Sequence, residues 1–330
     1  MPKSATPKSA TPKSATPKPA TPKSAKPKST KPKSTKPKSA KLTSATPKLA
    51  TPKSEPAQSE PAASISPTPF HVGIGGWTFE PWRGVFYPDG LPHAKELSYA
   101  ASHLTSIEIN GTFYRTQTPA TFRKWASEVP NGFIFSVKGP RFVTHRRDLK
   151  EAGDSIRRFV SSGVTELGDR LGPLLWQFPP TKKFDEADFT SFLELLPRDF
   201  EGTRLRHVVE VRHASFCVPG FIRLLRRFDT PVVFSEHETY PAIADVTGDF
   251  LYLRLQKGDD SIATCYPDGR IAAWADRLRG WLSGKVPADL PHIETATAKT
   301  KPRDIFVYFI HEGKVRAPAG AMTLIEKLRS

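Results

Sequence analysis

Two glutamates and a histidine are the residues of this sequence best suited to acid/base chemistry. Glu108 lies in the segment SIEIN, and Glu210 and His213 lie in the segment VVEVRH. Each glutamate is near the end of a short apolar run, where a carboxyl group beside a substrate can give or accept a proton. Histidine titrates near neutral pH and suits the same task. We therefore predict Glu108, Glu210 and His213 as catalytic residues.

Basic and amide side chains occur at the ends of other apolar runs. Lys138 ends FIFSVK, and Arg254 lies near the end of FLYLRL. Arginine can bind a phosphate or carboxylate through two parallel hydrogen bonds, and lysine adds a compact charge. Trp77 and Tyr114 supply flat faces for a sugar ring or a base. The residues predicted to bind substrate are Trp77, Asn110, Tyr114, Lys138, Gln177, Arg212 and Arg254.

Two other interpretations of these side chains stay open. The charges could form ion pairs that plug one end of the fold, because an unpaired charge is costly in a dry interior. A divalent metal could instead be held by carboxylates and imidazoles. The residue types suited to a metal are Glu108, Glu210, His213, Glu236 and His237, but no HxH or HExxH spacing is present. The sequence therefore assigns no metal ligand and no cofactor, and a divalent metal remains an alternative.

Several familiar catalytic motifs are absent from the sequence. The segment GIGGW runs directly into aromatic residues and does not form a GxGxxG turn before a helix. The sequence has neither a GxxxxGKS or GxxxxGKT phosphate loop nor a GxSxG elbow. Cys217 and Cys265 do not form a CxxC pair. We therefore expect no dinucleotide fingerprint, no serine hydrolase elbow and no disulfide framework.

Short β-branched or aromatic runs alternate with helical patterns from residue 71 onward. The predicted strands are 72–76, 106–110, 133–138, 173–178, 207–212, 231–236, 250–255 and 305–310. The predicted helices are 94–104, 119–129, 154–171, 185–196, 219–228, 271–283 and 319–329, with no full helix expected over 237–248. Such alternation is typical of βα units in a parallel sheet. The pattern predicts an α/β fold, a single-domain TIM-type (β/α)8 barrel over residues 70–330.

A barrel of this kind gives the polar side chains a common location. The loops that follow its strands converge on one face, where active sites form. Alternation along a strand places Glu108 and Asn110 on one side of theirs, and Glu210 and Arg212 on one side of another. We therefore predict an enzyme acting on a small polar or anionic substrate, sugar-like or phosphate-like. The alternatives are a metal-dependent phosphodiesterase or nuclease-like barrel, and a non-catalytic barrel that binds a ligand or nucleic acid.

The first 69 residues differ in composition from the rest. They contain 14 lysines, no arginine, two glutamates and no aromatic residue, so they carry +12 of the formal net charge of +16. Such a segment cannot bury enough apolar surface to order itself, and we predict a disordered Lys/Pro-rich arm. Nucleic-acid binding through residues 1–60 is one expected role, and a solvated linker is the other. The lysines expected to contact phosphates are Lys3, Lys8, Lys13, Lys23, Lys28, Lys33 and Lys38.

The sequence also bears on location. It has no run of 18 apolar residues that would span a membrane, and its N-terminus has no apolar segment typical of a secretory signal. We predict a cytoplasmic protein, associated with the nucleoid if the arm binds DNA.

The strand-end motifs are similar to those of a known family. The segments GIGGWTFEPWRGVFYP, SIEINGTFYR, FSVKGPRFVTH, LLWQFPP and VVEVRHASF resemble the YecE-like family, also called domain of unknown function 72. The resemblance covers almost all of residues 71–330 and implies a TIM-type barrel with no settled activity. The signature positions it implies are Trp77, Trp82, Glu108, Asn110, Phe113, Tyr114, Lys138, His145, Gln177, Pro179, Glu210, Arg212 and His213.

The sequence departs from the family pattern at two strand ends. Gln256 and Lys257 stand where the family pattern implies a histidine, and Ile310 and His311 replace an asparagine pair. We expect substrate specificity to differ in this chain if those positions contact the substrate. The lysine-rich arm is no part of the family domain and resembles the tails of histone H1-like proteins in composition.

Overall fold

The computed structural model describes residues 69–294 and 303–330. In chain order its strands are β1 (Phe70–Gly75), β2 (Ser106–Ile109), β3 (Ile134–Lys138), β4 (Leu171–Gln177), β5 (Asp199–Phe200), β6 (Thr203–Arg204), β7 (His207–Glu210), β8 (Val233–Glu236), β9 (Leu251–Lys257) and β10 (Ile305–Glu312). The predicted arm, with its lysines from Lys3 to Lys38, lies outside the described residues.

Eight of these strands form one parallel sheet that curls into a ring. The strand order is β7, β4, β3, β2, β1, β10, β9, β8, and every pairing is parallel. The two end strands meet through a bridge between Val209 and Val232, where Val209 N donates to Pro231 O at 3.0 Å. Strands β5 and β6 form a separate antiparallel hairpin. The predicted TIM-type barrel is therefore confirmed, with its last junction held by few contacts.

Eight α-helices are present in the described residues, and most connect consecutive strands. They are α1 (Glu96–His103), α2 (Pro119–Ser127), α3 (Arg141–Thr144), α4 (Gly153–Val160), α5 (Glu186–Glu194), α6 (Pro219–Arg227), α7 (Asp268–Leu282) and α8 (Ala317–Arg329). As predicted, no helix lies between β8 and β9. None of the helices in the described ranges is long and apolar enough to cross a membrane.

Local chemistry explains where two of these helices begin and where one predicted helix divides. Thr118 caps α2 by accepting a hydrogen bond from Thr121 N, and Pro119 occupies the first turn, where its missing N–H is not needed. Pro219 begins α6 in the same way. The single helix predicted over 154–171 is instead α4 followed by a 3-10 helix at Val164–Arg170. Gly163 separates them because its φ of 100° cannot continue a helix.

The apolar core has two parts, on either side of the ring of strands. One lies between the strands and the helices, and it includes Trp176, Phe178 and Phe192. The other fills the inside of the ring with Leu175, Val208, Val233, Phe250, Tyr252, Phe306, Tyr308 and Ile310. A packed interior of this kind supports the polar side chains that follow at the carboxyl ends of the strands.

Close approach of β1 to β2 depends on glycine. A Cβ atom at Gly73 would lie 1.7 Å from the carbonyl oxygen of Ser106, its partner in the neighbouring strand. At Gly75 a Cβ atom would lie 2.9 Å from the amide nitrogen of Asn110. The glycines of the GIG segment therefore make room for β2 and for the polar side chain at its end.

Candidate functional site

A cavity of about 570 Å³ opens at the carboxyl ends of the strands, the face on which TIM barrels carry their active sites. We call it the mouth cavity. Its volume is in the range of small-molecule sites. Six of the seven residues predicted to bind substrate line it, all except Trp77. The lining residues are Gly75, Trp82, Asn110, Phe113, Tyr114, Lys138, Gln177, Arg212, Arg254, Gln256, Phe309, Ile310, His311, Glu312 and Lys314.

Arg254 on β9 forms the centre of the cavity floor. Its Nη2 donates to Glu108 Oε1 at 3.0 Å, and its Nη1 donates to Glu210 Oε2 at 2.6 Å. Arg254 is 5% exposed, and both glutamates are fully buried. The guanidinium therefore compensates carboxylates from two other strands, β2 and β7. Removing it would leave two buried negative charges with reduced compensation.

A layer of hydroxyl groups lies against this ion-pair cluster inside the barrel. Tyr252 donates its hydroxyl to Glu108 Oε2 at 2.7 Å, and the hydroxyl oxygen of Tyr252 lies 2.8 Å from Ser136 Oγ. A second hydroxyl pair, Ser106 and Tyr308, is 2.7 Å apart. Burial, followed by the negative charge of Glu108, raises the pKa of Tyr252 well above its usual value. Tyr252 therefore stays protonated and acts as a hydrogen-bond donor.

Arg212 extends the positive surface beyond the end of β7. Its Nε donates to Glu210 Oε1 at 2.9 Å, and its Nη2 donates to Gln177 Oε1 at 2.7 Å. The guanidinium lies 4.4 Å from the centroid of the Tyr240 ring, within reach of a cation–π interaction. Gln177 accepts this bond with its amide oxygen, so its amide nitrogen takes no part in the contact.

Both glutamates are engaged on all their oxygen atoms. The oxygens of Glu108 accept from Arg254 and Tyr252, and those of Glu210 accept from Arg212 and Arg254. Burial opposes ionisation of Glu210, but the charges of Arg254, Arg212 and Lys138 outweigh it and hold its pKa below the usual value. Neither glutamate is among the residues that line the mouth cavity. The carboxylates lie under the floor and are not on its surface.

Lys138, the last residue of β3, differs from the arginines. Its side chain is 7% exposed yet lines the cavity, and its Nζ lies 4.2 Å from the centroid of the Phe113 ring. None of the described carboxylates forms an ion pair with Lys138; those of Glu108 and Glu210 pair with arginines. Burial, followed by repulsion from Arg254, lowers the pKa of Lys138 to about 8, although the two glutamates oppose the change.

The cluster carries an excess of positive charge. With Lys138 protonated, three cations, Lys138, Arg212 and Arg254, are balanced by two carboxylates, Glu108 and Glu210. The excess lies at the cavity floor, where these charged side chains are largely buried and are screened less than charges on the surface. A small anion is the ligand that this field favours.

Aromatic rings form one wall of the cavity. Trp82 is 1% exposed and is fixed by a hydrogen bond of 2.8 Å from its Nε1 to Lys314 O. Phe113 packs edge-on against Tyr114, whose side chain is 72% exposed. The guanidinium of Arg141 lies 5.9 Å from the centroid of the Tyr114 ring. This wall can cover the apolar part of a ligand whose charged group contacts the floor.

Trp77 and His213 lie away from the cavity lining. Trp77 packs edge-on against Trp125 of α2, with ring centroids 5.1 Å apart. His213 precedes a 3-10 helix at Ala214–Phe216, and its Nδ1 accepts a hydrogen bond of 3.1 Å from Ser215 N. The structure therefore shows a packing contact for Trp77 and a capping contact for His213.

The five residues considered as metal ligands do not form one cluster. Glu236 accepts hydrogen bonds from Tyr266 at 2.7 Å and from Arg270 at 2.6 Å. The ring of His237 stacks on that of Tyr240, with centroids 3.8 Å apart. Across residues 69–294 and 303–330, no group of three or more His, Cys, Asp or Glu side chains is arranged to hold a metal ion.

The positions that depart from the family pattern lie at the cavity or beside it. Gln256, Ile310 and His311 line the cavity, whereas Lys257 forms an ion pair of 3.2 Å with Glu238. His311 has a φ of 76°, and the pairing of β10 with β9 shifts register between Phe309 and Glu312. A non-glycine residue in this region is strained, and such strain often occurs beside functional sites.

Some lining residues were not among the candidate site residues chosen from the sequence. Trp82 and Phe113 were identified only as family signature positions, and His311 only as a departure from the family pattern. Lys314 gave no signal, because it follows the end of β10 and lies outside the strand alternation. Residues on loops reach the cavity through turns that a period-two pattern does not describe.

A second cavity, of about 300 Å³, lies at the opposite end of the barrel. It is lined in part by Arg204, Arg206 and His207, at the start of β7 and just before it. Arg204 pairs with Asp249 at 3.2 Å, and Arg206 pairs with Asp304 at 2.6 Å. Because the second cavity lies at the amino ends of the strands, whereas TIM barrels carry their active sites at the carboxyl ends, the mouth cavity is the stronger candidate site.

Comparison with known proteins identifies relatives of this chain. The family model described as "Protein of unknown function DUF72" matches residues 71–330. The UPF0759 protein YunF of Bacillus subtilis is 27% identical over 115 residues, which cover 33% of this chain and 40% of that protein. The match therefore spans less than half the length of that relative.

Two solved structures share the fold. A DUF72 family protein from Thermotoga maritima is 21% identical, with a TM-score of 0.60, and the match covers 79% of this chain and 99% of that one. A DUF72 family protein from Enterococcus faecalis is 16% identical, with a TM-score of 0.57, and the match covers 79% of this chain and 96% of that one. Over residues 71–330 this chain belongs to the DUF72 family, a group of TIM-type barrels.

Proposed function

We propose that the mouth cavity binds a small anionic substrate, one with a phosphate or carboxylate group, and that the protein is an enzyme using Lys138 for proton transfer. The observation that carries the proposal is the buried ammonium of Lys138, which lines the cavity without a carboxylate partner among the described residues. A lysine whose pKa is about 8 can exchange a proton near neutral pH.

The arginines suit recognition of the anion. Arg212 and Arg254 both line the cavity, and each is oriented by contacts to a buried glutamate. A guanidinium held in place by other groups loses little side-chain entropy when it binds a ligand. The amide nitrogen of Gln177 supplies a further donor on the same surface. These groups favour an oxyanion over a neutral sugar.

Glu108 and Glu210 have a positioning role in this proposal. They hold Arg254 and Arg212 in place and reduce the repulsion between those cations. A general acid or base must reach the proton that it transfers, and the oxygens of both glutamates are occupied beneath the floor. Loss of either carboxylate should therefore disturb anion binding through Arg254.

Calorimetric titration with inorganic phosphate tests the proposal. We expect the full chain to bind phosphate and Arg212→Gln to bind it about 10-fold or more weakly, since a charge-assisted hydrogen bond to a ligand contributes roughly 1.5–3 kcal/mol. Arg223→Gln is the matched control, because Arg223 is 65% exposed and pairs with Glu294 on the outer surface. Equal affinity in all three proteins would show that phosphate is not bound at the mouth.

We propose a separate role for the lysine-rich segment. Its 14 lysines against two glutamates favour attraction to nucleic-acid phosphates, independent of sequence. Such an attraction would hold the barrel near nucleic acid without requiring that the cavity act on it.

A further inference from the structure

We propose that Lys138 forms an imine with an aldehyde or ketone that also carries an anionic group. This inference rests on the proposed anion site and specifies the chemistry of its substrate: a carbonyl group placed near Lys138, with a phosphate or carboxylate held by the neighbouring arginines.

The surroundings of Lys138 suit a nucleophilic amine. Its Nζ has no hydrogen-bond or ion-pair partner among the described residues, and it lies over the face of Phe113, 4.2 Å from the ring centroid. An amine fixed by a carboxylate would have to break that ion pair before attacking a carbonyl carbon. Both nearby carboxylates, Glu108 and Glu210, are instead bound to arginines. The lone pair of the neutral amine is therefore available to a ligand in the cavity.

Burial distinguishes Lys138 from the other lysines. In the part of the chain that the structure describes, it is the one lysine with a buried side chain. Lys182 pairs with Asp188 at 2.5 Å, and Lys257 pairs with Glu238 at 3.2 Å. Lys314 also lines the cavity, 4.0 Å from the ring of Phe79, but it is only partly buried. Reactive lysines in proteins are commonly activated by an apolar pocket or a neighbouring cation.

The shifted pKa supports this role. At pH 7, a lysine with a pKa of about 8 is neutral in about a tenth of molecules. A lysine at the usual value of 10.5 is neutral in only a few molecules in ten thousand. Arg254 and Arg212 would have two functions here, because they lower the pKa of the amine and also bind the anionic end of the substrate.

The reaction balances without an oxidant or reductant. The neutral Nζ attacks the carbonyl carbon, a C–N bond forms, and the carbonyl oxygen takes a proton to give a carbinolamine. Loss of the hydroxyl group as water, with a proton from solvent at the open mouth, leaves a C=N bond to Lys138. One carbonyl compound and one amine are consumed, and one imine and one water are formed. The protonated imine can withdraw electrons from the adjacent carbon of the substrate.

Reductive trapping tests the proposal. The full chain is incubated at pH 7 with glycolaldehyde phosphate and sodium cyanoborohydride, which reduces an imine to a stable secondary amine, and the modified lysines are mapped by peptide mass spectrometry. Glycolaldehyde, which has the same aldehyde without the phosphate, is the matched probe. Lys124 is the internal control, since it is 65% exposed on α2.

We expect modification at Lys138 to exceed that at Lys124 by at least about 10-fold, because of its larger neutral fraction. The excess should fall with glycolaldehyde, with added inorganic phosphate and in Arg212→Gln. Lys138→Arg keeps the charge but cannot form an imine, so it should lose the label while still binding phosphate in calorimetry.

Two outcomes distinguish failure of the imine proposal from failure of the anion-site proposal. If phosphate binds at the mouth but Lys138 is labelled no faster than Lys124, the imine proposal is wrong and the anion site stands. If phosphate does not bind and the labels are spread evenly over exposed lysines, both proposals fail. Preferential labelling of Lys314 would also overturn the assignment, because it would place the carbonyl at the rim.

Discussion

The guanidinium of Arg254 donates a hydrogen bond of 2.6 Å to the carboxylate of Glu210, and both side chains are buried. This contact joins β9 to β7 inside the ring, and the second guanidinium nitrogen reaches Glu108 on β2. One arginine thus links three strands of the barrel. The polar cluster beneath the mouth cavity therefore supports the fold as well as the proposed ligand site.

Arg254→Met should destabilise the protein strongly. The substitution leaves Glu108 and Glu210 buried with less compensation, and removing one partner of a buried ion pair costs about 3–5 kcal/mol. Urea denaturation at neutral pH measures the loss in the free energy of unfolding. Arg123→Gln serves as control because its pair with Glu166 is on the surface, with side chains 59% and 36% exposed, and should change stability by less than about 1 kcal/mol. Equal losses would contradict the central role of Arg254.

Lys138→Met should stabilise the protein at pH 7, because a buried ammonium is removed. The pKa of Lys138 is about 8 in the folded protein against 10.5 for an ordinary lysine, so the unfolded chain binds more protons between those values. The free energy of unfolding of the unsubstituted protein should then rise from pH 8 to pH 10.5, and the advantage of Lys138→Met should shrink. The full rise in the free energy of unfolding that this shift in pKa produces is on the order of 3 kcal/mol.

Urea denaturation of both proteins at pH 7 and pH 10 measures this change. Lys124→Met, on the exposed face of α2, is the control and should follow the pH dependence of the unsubstituted protein. A constant difference between Lys138→Met and the unsubstituted protein at both pH values would mean that Lys138 has an ordinary pKa.

Gly73→Ala should prevent normal closure of the barrel. Its Cβ would lie 1.7 Å from the carbonyl oxygen of Ser106, so β1 and β2 would have to separate. We expect a loss of several kcal/mol or insoluble protein, because overpacking commonly costs about 1–3 kcal/mol and here the clash is with backbone. Gly269→Ala in the first turn of α7 is the control, since a Cβ there meets no atom within 4 Å. Thermal unfolding followed by circular dichroism compares the two.

Deleting residues 1–60 should abolish retention on DNA at low salt and leave phosphate binding at the mouth unchanged. The deleted segment carries 14 lysines, and its attraction to phosphates comes from counterion release. A variant of full length in which Lys3, Lys8, Lys13, Lys23, Lys28, Lys33 and Lys38 are changed to Gln tests charge without altering length. Gel-shift titration across salt concentrations measures retention, and unchanged retention in both variants would exclude this role.

Much of the fold and part of the site could be predicted from the sequence. The eight apolar runs correspond to the eight strands of the parallel sheet, although the short β5–β6 hairpin was not predicted. Alternation put Glu108 and Asn110 on one side of their strand, and Glu108 is fully buried. Strand ends that were polar in sequence do meet at one cavity, because parallel strands in a ring direct their carboxyl ends the same way. Lys138, Gln177 and Arg254 lie at that cavity for this reason.

The remaining features depend on contacts that a strand pattern does not encode. Trp77 follows Gly76, whose φ of 74° turns the chain after β1 ends, so the alternation of β1 no longer applies to it. His213 follows the end of β7, and its ring accepts a local hydrogen bond from Ser215 N. The ion pair between Glu210 and Arg254 depends on the spacing of two strands that are distant in sequence, which alternation within one strand does not encode.

The pH dependence of sulfate binding tests most directly whether the anion site includes the ammonium of Lys138. Sulfate keeps the same charge from pH 6.5 to 9.5, so calorimetric titration over this range reports on the protein. We predict that the affinity of the unsubstituted chain falls as pH rises through about 8, where Lys138 loses its proton. Lys138→Met should bind sulfate more weakly and with little change near that pH. A flat profile in the unsubstituted chain, or the same profile in both proteins, would contradict the account.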